Sequence, residues 1–301
     1  VRAQRTTEQE AHACRSRSTH VSDTAFQVQY RKEAIMGFEF GQSDLRTSVT
    51  TEAVIKGNQA IFEVADSGGA SASNRGVNGL IPARTDDLNQ YTATLVEWHD
   101  LVRRTSFNLF ASQGDGRRIM QATTRKVMNR KIDLDILSGL QTATNFIGTS
   151  AVAMTAALFT RAKVVLSLNQ VPINEMDNMF AIMSPAALGL LEQTKEFGTA
   201  EWVDVKVNVG PARKFRRWKG FNIIEHPLVP GVGTSSETLF FYHREAIGHA
   251  VNTGEMQALA GYHQEQDYSW ARTTAYMGSV LLQNRGVVAC RHDGSAYVAT
   301  A

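Results

Sequence analysis

Apolar positions at helical spacing fill residues 114–140, inside a stretch with no proline between Pro82 and Pro172, so nothing in the backbone forces a kink there. Asp115 is placed to cap the free amides of the first turn, and Gly139 to end the last. The apolar positions do not keep to one stripe. Met120, Val127 and Leu134 repeat every seven residues, whereas Ile132, Ile136 and Leu140 repeat every four on another face. A helix whose apolar face migrates along its length packs against different neighbours at its two ends, as a strut does. Upstream the period falls to two. Val49, Ala53 and Ile55 precede Lys56-Gly57-Asn58, and Ala60, Phe62 and Val64 follow. This pattern predicts a hairpin turning at Gly57-Asn58. Residues 66–82, rich in Gly, Ser and Asn, read as a flexible loop, and strand character returns over 91–104. Little in this excursion can form a core of its own.

Downstream of the helix, helices alternate with strands, which predicts a compact α/β or α+β unit over residues 150–260. A second helix is expected over 155–169, stopped by Pro172, and a buried strand over 178–183. Ser184 as cap, Pro185 at the first position and Gly198 as stop mark a third helix. Strands are expected at 202–209, 221–225, 239–243, 273–282 and 287–291. Residues 22–45 mix short apolar patches with charge and read as an arm that docks on something else. Residues 1–20 show no periodicity. They are expected to be a disordered lead, a cleaved segment, or a non-native extension ahead of a true start at Val21. No internal repeat of fixed period occurs.

Composition narrows the class. With 43% hydrophobic and 20% charged residues among 301, the chain is an ordinary globular protein with enough length for a large core. No apolar run reaches the length of a transmembrane helix. Two cysteines, Cys14 and Cys290, are too few for a disulfide framework and suit a reducing compartment. The formal charge of +2 rests on residues 1–20, which hold four Arg and two Glu of the 31 basic and 29 acidic residues. The remaining body is neutral and makes no general electrostatic case for nucleic acid.

Catalytic signatures are missing. There is no HExxH, CxxC or G-x-S-x-G, and Gly231-Val232-Gly233 stands without the rest of a dinucleotide fingerprint. The eight histidines, with His243 and His249 six apart, read as structural, and Cys290 as a small buried hydrophobe. No enzyme, catalytic residue, metal site or cofactor is expected. Two basic clusters remain. Arg213, Lys214, Arg216, Arg217 and Lys219 interleave with Phe215 and Trp218, a composition that grips nucleic acid or, equally, pairs with acids on a neighbouring subunit. On the long helix Arg117, Arg118, Arg125, Lys126, Arg130 and Lys131 point around most of the circumference, which favours several contacts over one phosphate track. Lys56 at the hairpin tip reads as a solubilising charge rather than a cross-linking group.

The order of these parts resembles the major capsid proteins of tailed bacteriophages, which share the Hong Kong 97-type fold. The resemblance is carried by residues 38–46 (FEFGQSDLR), the returning strand 91–104, and residues 129–137 (NRKIDLDIL). Further matches are 180–185 (FAIMSP), 218–220 (WKG) and 241–248 (FYHREAIG). It runs from about residue 24 to 292 and leaves the first 20 residues without a counterpart. It implies an α+β fold of N-arm, extended β-hairpin loop, long spine helix, peripheral domain and axial α/β domain. The lead would be 1–20 and the N-arm 21–46. The extended loop with peripheral-domain strands would span 47–105, the spine helix with peripheral domain 106–150 and the axial domain 151–265. Residues 266–301 would be the peripheral return and C-terminal strand. The implied function is self-assembly into pentamers and hexamers of an icosahedral virion head that holds double-stranded DNA, formed in the host bacterial cytoplasm. Implied partners are other copies, scaffolding, portal and cement or decoration proteins, and DNA by weak contact, with no membrane. Candidate subunit-contact residues are Lys56, Gly57, Asn58, Arg75, Arg117, Arg118, Met120, Arg125, Val127, Arg213, Lys214, Arg216, Arg217, Trp218 and Lys219. A nanocompartment shell resembling the encapsulins, a DNA-binding module built on 213–219 and a histidine metal hydrolase are the competing readings.

Overall fold

Within the proline-free stretch lies one helix of 26 residues, Gly116–Gln141, about 39 Å long. The computed structural model describes residues 42–52, 57–67, 70–75, 79, 81, 87–111, 116–198, 216–252 and 257–295, all within one compact unit, 36–301. In chain order its strands are β1 (Thr50–Glu52), β2 (Gln59–Asp66), β3 (Asp87–Thr94), β4 (Val96–Thr105), β5 (Phe146–Gly148), β6 (Met179–Met183), β7 (Arg216–Trp218), β8 (Phe221–Glu225), β9 (Glu237–His243), β10 (Ile247–Val251), β11 (Gln257–His263), β12 (Tyr268–Leu281) and β13 (Val287–His292). Its helices are α1 (Ser106–Ala111), α2 (Gly116–Gln141), α3 (Ala156–Leu168), α4 (Pro185–Glu192) and α5 (Lys195–Gly198).

A six-stranded mixed sheet runs in the order β5-β13-β9-β6-β8-β7. Its central strands are the apolar runs of the sequence: every residue of β6 is buried, and all of β9 except Thr238. α3 starts at Thr155, whose hydroxyl accepts from the Leu158 amide at 3.3 Å, and carries Phe159 into a cluster with Trp218, Phe221 and Phe241. α4 begins as expected, with the Ser184 hydroxyl accepting from the Ala187 amide at 3.0 Å and Pro185 in its first turn. It ends at Glu192 rather than at Gly198, and residues Lys195–Gly198 form the separate α5. The expected strand 202–209 lies outside the described residues, as does Asp115.

The second sheet is organised by β12. β4 pairs along one edge from Tyr268 to Met277, while β10 and then β11 pair along the other. β1 adds parallel to β10. Alternation along β12 gives the sheet two different faces. Thr273 and Ser279 meet α2: the Thr273 hydroxyl donates to that of Thr124 at 3.0 Å, and the Ser279 hydroxyl donates to the Asp135 carbonyl at 2.7 Å. Gly278, on the opposite face, meets the base of a two-stranded hairpin, β2-β3.

Three expectations are corrected. The described part of the strand before Gly57, residues 50–52, does not pair with the strand after it. β1 joins the second sheet, and β2 pairs with β3 across the long 67–86 connection; pairing partners are set by burial at distant positions, which local alternation cannot report. The returning strand 91–104 is two strands, β3 and β4, which part at Leu95 to enter different sheets. Gly139 does not stop α2. A Cβ there would lie 2.8 Å from the Ser279 hydroxyl, so the glycine lets helix and sheet approach closely. The chain passes from the six-stranded to the second sheet at the 3-10 turn Arg244–Ala246, ahead of residue 265, since β10 and β11 both pair with β12.

Candidate functional site

Three of the chain segments that carry the sequence resemblance meet around one buried carboxylate. Asp133, fully buried on α2, accepts from the Ser43 hydroxyl at 2.5 Å and from the Leu45 and Asp44 amides at 3.2 and 3.5 Å. His226 Nε2 lies 3.4 Å from its other oxygen. Leu45, Val49, Ile132, Ile136 and Leu137 are buried in the same core, and the Ser48 hydroxyl sits 2.5 Å from that of Tyr242. Residues 42–48, 129–137 and 241–248 are therefore three parts of one joint. It ties the segment leading into the hairpin to the long helix and to both sheets. Hydrogen bonds to a buried charge hold such a joint more tightly than neutral ones.

From this joint the hairpin runs out for eight paired residues per strand, about 27 Å. Only its base has a core: Ala60, Ala93 and Ala250 are buried, with Phe62, Leu95 and Val280 against them. Ile61 and Leu88 further out are 58% and 60% exposed. The sheet face bearing Gly278 continues past the hairpin base to Leu101, Arg272 and Leu259, which stand in register on β4, β12 and β11 and are all exposed.

The sequence-derived candidates are scattered. Lys56, Arg213 and Lys214 lie outside the described residues. Gly57 and Asn58 are exposed at the start of β2, with Gly57 at φ +107, and the Asn58 carbonyl accepts from the Leu95 amide at 2.9 Å. Arg75 is exposed, its Nε donating to the Gly79 carbonyl at 2.9 Å. Arg117 and Arg118 fall in the first turn of α2, with Arg118 exposed. The heptad splits: Met120 is buried by its own chain, while Val127 is 41% and Leu134 37% exposed. The four-residue repeat of Ile132, Ile136 and Leu140 is the one that enters the core. Arg216 opens β7. Arg217 pairs with Asp177 at 2.5 Å and donates to the Asn222 side chain at 3.1 Å, and Lys219 donates to the Thr160 hydroxyl at 2.9 Å. Trp218 is 3% exposed, packed between Phe159 and Phe197. This corrects the picture of 213–219 as an exposed aromatic-basic surface: its indole serves the core, where no base can stack on it.

Beside the joint, a cleft of about 510 Å3 opens between residues 42–51, α2 and Arg244. It brings Arg125 together with Arg46 and Arg244. The last two were not among the sequence candidates, although both lie inside segments singled out there, at the ends of QSDLR and FYHR.

Most of the described histidines are interior. His226 faces Asp133, His292 lies 3.3 Å from Glu237, and His249 lies 3.7 Å from Asp135. Burial holds His249 down to about 4 and pushes Asp135 up, which keeps that pair from ionising fully. Burial also pushes the Cys290 thiol up to about 12, as for an inert core cysteine. Among the described residues no group of three His, Cys, Asp or Glu side chains could hold a metal ion, and no helix is long and apolar enough to cross a membrane.

Comparison with known proteins agrees with this architecture. A protein of Mycobacterium phage Che8 superposes with a TM-score of 0.70 at 13% identity, over 89% of this chain and 97% of that one. The capsid of a native GTA particle gives 0.68 at 14%, covering 91% and 98%. The capsid of Ralstonia phage GP4 gives 0.65 at 12%, covering 91% and 97%. The fold is that of the Hong Kong 97-type capsid proteins. No curated protein sequence matches the chain. The family model described as phage capsid protein matches residues 22–294, and this chain accordingly belongs to the phage capsid protein family, with the general role of a capsid shell protein.

Proposed function

We propose that this chain is the major capsid protein of a tailed bacteriophage, whose copies assemble as pentamers and hexamers into an icosahedral head enclosing double-stranded DNA. The observation that carries the reading is the hairpin. An antiparallel pair about 27 Å long, with apolar side chains exposed beyond its base, is marginal alone; it gains stability by lying across a second copy, where exposed strand edges and apolar residues find partners. In this reading 21–46 is the N-arm, the β2-β3 hairpin is the extended loop and α2 is the spine. The six-stranded sheet with α3 and α4 forms the axial domain, and the sheet around β12 the peripheral domain. Assembly takes place in the host bacterial cytoplasm, with scaffolding, portal or cement proteins as further partners and DNA held by weak contact. Negative-stain microscopy and light scattering of the protein, expressed alone and together with a scaffolding protein, test the proposal. Closed shells tens of nanometres across, or sheets and tubes of hexamers, are expected. Monomers or small oligomers under both conditions would sink it, and shells that enclose enzymes instead of DNA would favour a nanocompartment.

A further inference from the structure

We infer that the arginine cleft beside the joint receives carboxylate side chains from a second copy of this chain, an inference that rests on the shell reading above. Arg46, Arg125 and Arg244 come from three distant segments to one cleft of about 510 Å3, where Ser43, Thr47 and Asn129 add polar side chains. Among the described residues no Asp or Glu lines it. The Arg244 Nε donates only to the Val49 carbonyl, at 3.4 Å, and among the described residues none of the three guanidinium groups has a carboxylate within ion-pair distance. Three like charges around one open space repel one another, so their convergence works against the isolated subunit. It becomes favourable once an oxyanion enters, because guanidinium forks bind carboxylate or phosphate bidentately.

Charge balance decides between those two anions. Outside residues 1–20 the chain is neutral, so positive charge gathered at one place is matched by carboxylates elsewhere on the same molecule. Glu52, Glu63, Glu225 and Glu265 are all exposed. A phosphate track needs a continuous basic stripe, whereas here Glu52 follows Thr51 at the cleft wall and Glu245 follows Arg244. Acidic residues beside the cleft oppose a polyanion passing through it, yet leave room for single carboxylates inserted from one side. Charge complementarity of this kind between copies also fixes their register.

The test uses purified full-length subunits: wild type, Arg125→Glu and Arg125→Lys. Light scattering gives the protein concentration at half-assembly, and urea unfolding reports folding of the free subunit. Arg125 makes no hydrogen bond or ion pair to a described residue, so Arg125→Lys should unfold at the wild-type midpoint, and Arg125→Glu, which relieves the repulsion among the three cations, at that midpoint or above it. Arg125→Glu should raise the half-assembly concentration at least about tenfold, and Arg125→Lys by less than about threefold, because lysine keeps the charge and loses only the fork. Assembly of Arg125→Glu at the wild-type concentration overturns the inference. So does unchanged assembly combined with about tenfold weaker binding of a short DNA duplex in fluorescence anisotropy, which would assign the cleft to phosphates. If wild type itself forms no shells under any condition, the shell reading has failed first, and the variants are not what decided it.

Discussion

Removing the Asp133 carboxylate should unfasten the joint that holds the segment leading into the hairpin. In Asp133→Ala the Ser43 hydroxyl, the Leu45 and Asp44 amides and His226 Nε2 lose their common acceptor. Taken singly, a hydrogen bond to a charged group contributes about 1.5–3 kcal/mol. The sum overstates the loss, since the side chain leaves a space that water can enter and only part of the joint is shielded from solvent. Each buried donor left without a partner costs about 1–3 kcal/mol, so with water replacing part of the lost acceptor about 4 kcal/mol is expected. For a unit of this size that lowers Tm by about 8–15 °C. Asp133→Asn keeps the shape and one acceptor, but turns an amide toward the Asp44 N–H, and should cost about half as much. Urea unfolding of the unassembled subunit measures both, and limited proteolysis between residues 42 and 52 reports whether that segment has come loose. A loss below about 1 kcal/mol for Asp133→Ala, with no new cleavage, would refute the reasoning, because the carboxylate would then be replaceable by water.

Gly278→Ala places a Cβ 2.2 Å from the Thr94 carbonyl at the hairpin base; backbone cannot yield as a side chain does, so a loss of about 1–3 kcal/mol is expected in urea unfolding, with assembly impaired further. His249, held down to about 4 from 6.5 chiefly by burial with Arg46 adding to it, binds its proton more tightly when unfolded. Its contribution is therefore fully present above pH 6.5 and is lost as pH falls toward 4, by about 3 kcal/mol in all. Asp135, raised by burial, acts in the opposite sense below its own shifted value, so the test is the difference between wild type and His249→Gln in Tm from pH 7 to 4, which should shrink as pH falls. Val127→Asp, at an exposed site on α2, should leave unfolding within about 0.5 kcal/mol of wild type while raising the concentration needed for assembly. Met120→Asp, at a site covered by its own chain, should instead destabilise the free subunit by several kcal/mol, about 3 or more; equal unfolding curves for the two variants would remove the distinction.

The local chemistry of the elements was legible residue by residue. Ser184 read correctly as a cap with Pro185 in the first turn after it, because a cap is satisfied by amides two or three residues away. The strand 178–183 read correctly as buried, and 239–243 and 287–291 as strands, because continuous apolar runs have few other destinations. The arginine cleft was half legible: Arg125 was singled out among the helix cations, but nothing adjacent to Arg46 or Arg244 tells that they face it. Trp218 was misjudged for the same reason. Among five cations it reads as a surface ring, and its true neighbours, Phe159 and Phe197, stand far off in sequence.

By itself, then, the sequence determined where helices begin, which runs are interior, and, through the resemblance, that the parts follow the order of a capsid protein. Each of these depends on interactions within a few residues or on the succession of segments. Tertiary structure alone decided the rest. It set β1 against β10 and β2 against β3, made Gly139 a point of close approach instead of a helix end, and turned Asp133 from one acidic residue on a long helix into the acceptor that binds Ser43, Asp44 and Leu45. The reason is the same throughout: strand register, close packing and a buried charge are settled by groups that the chain brings together only on folding, and no spacing along the sequence encodes their distance.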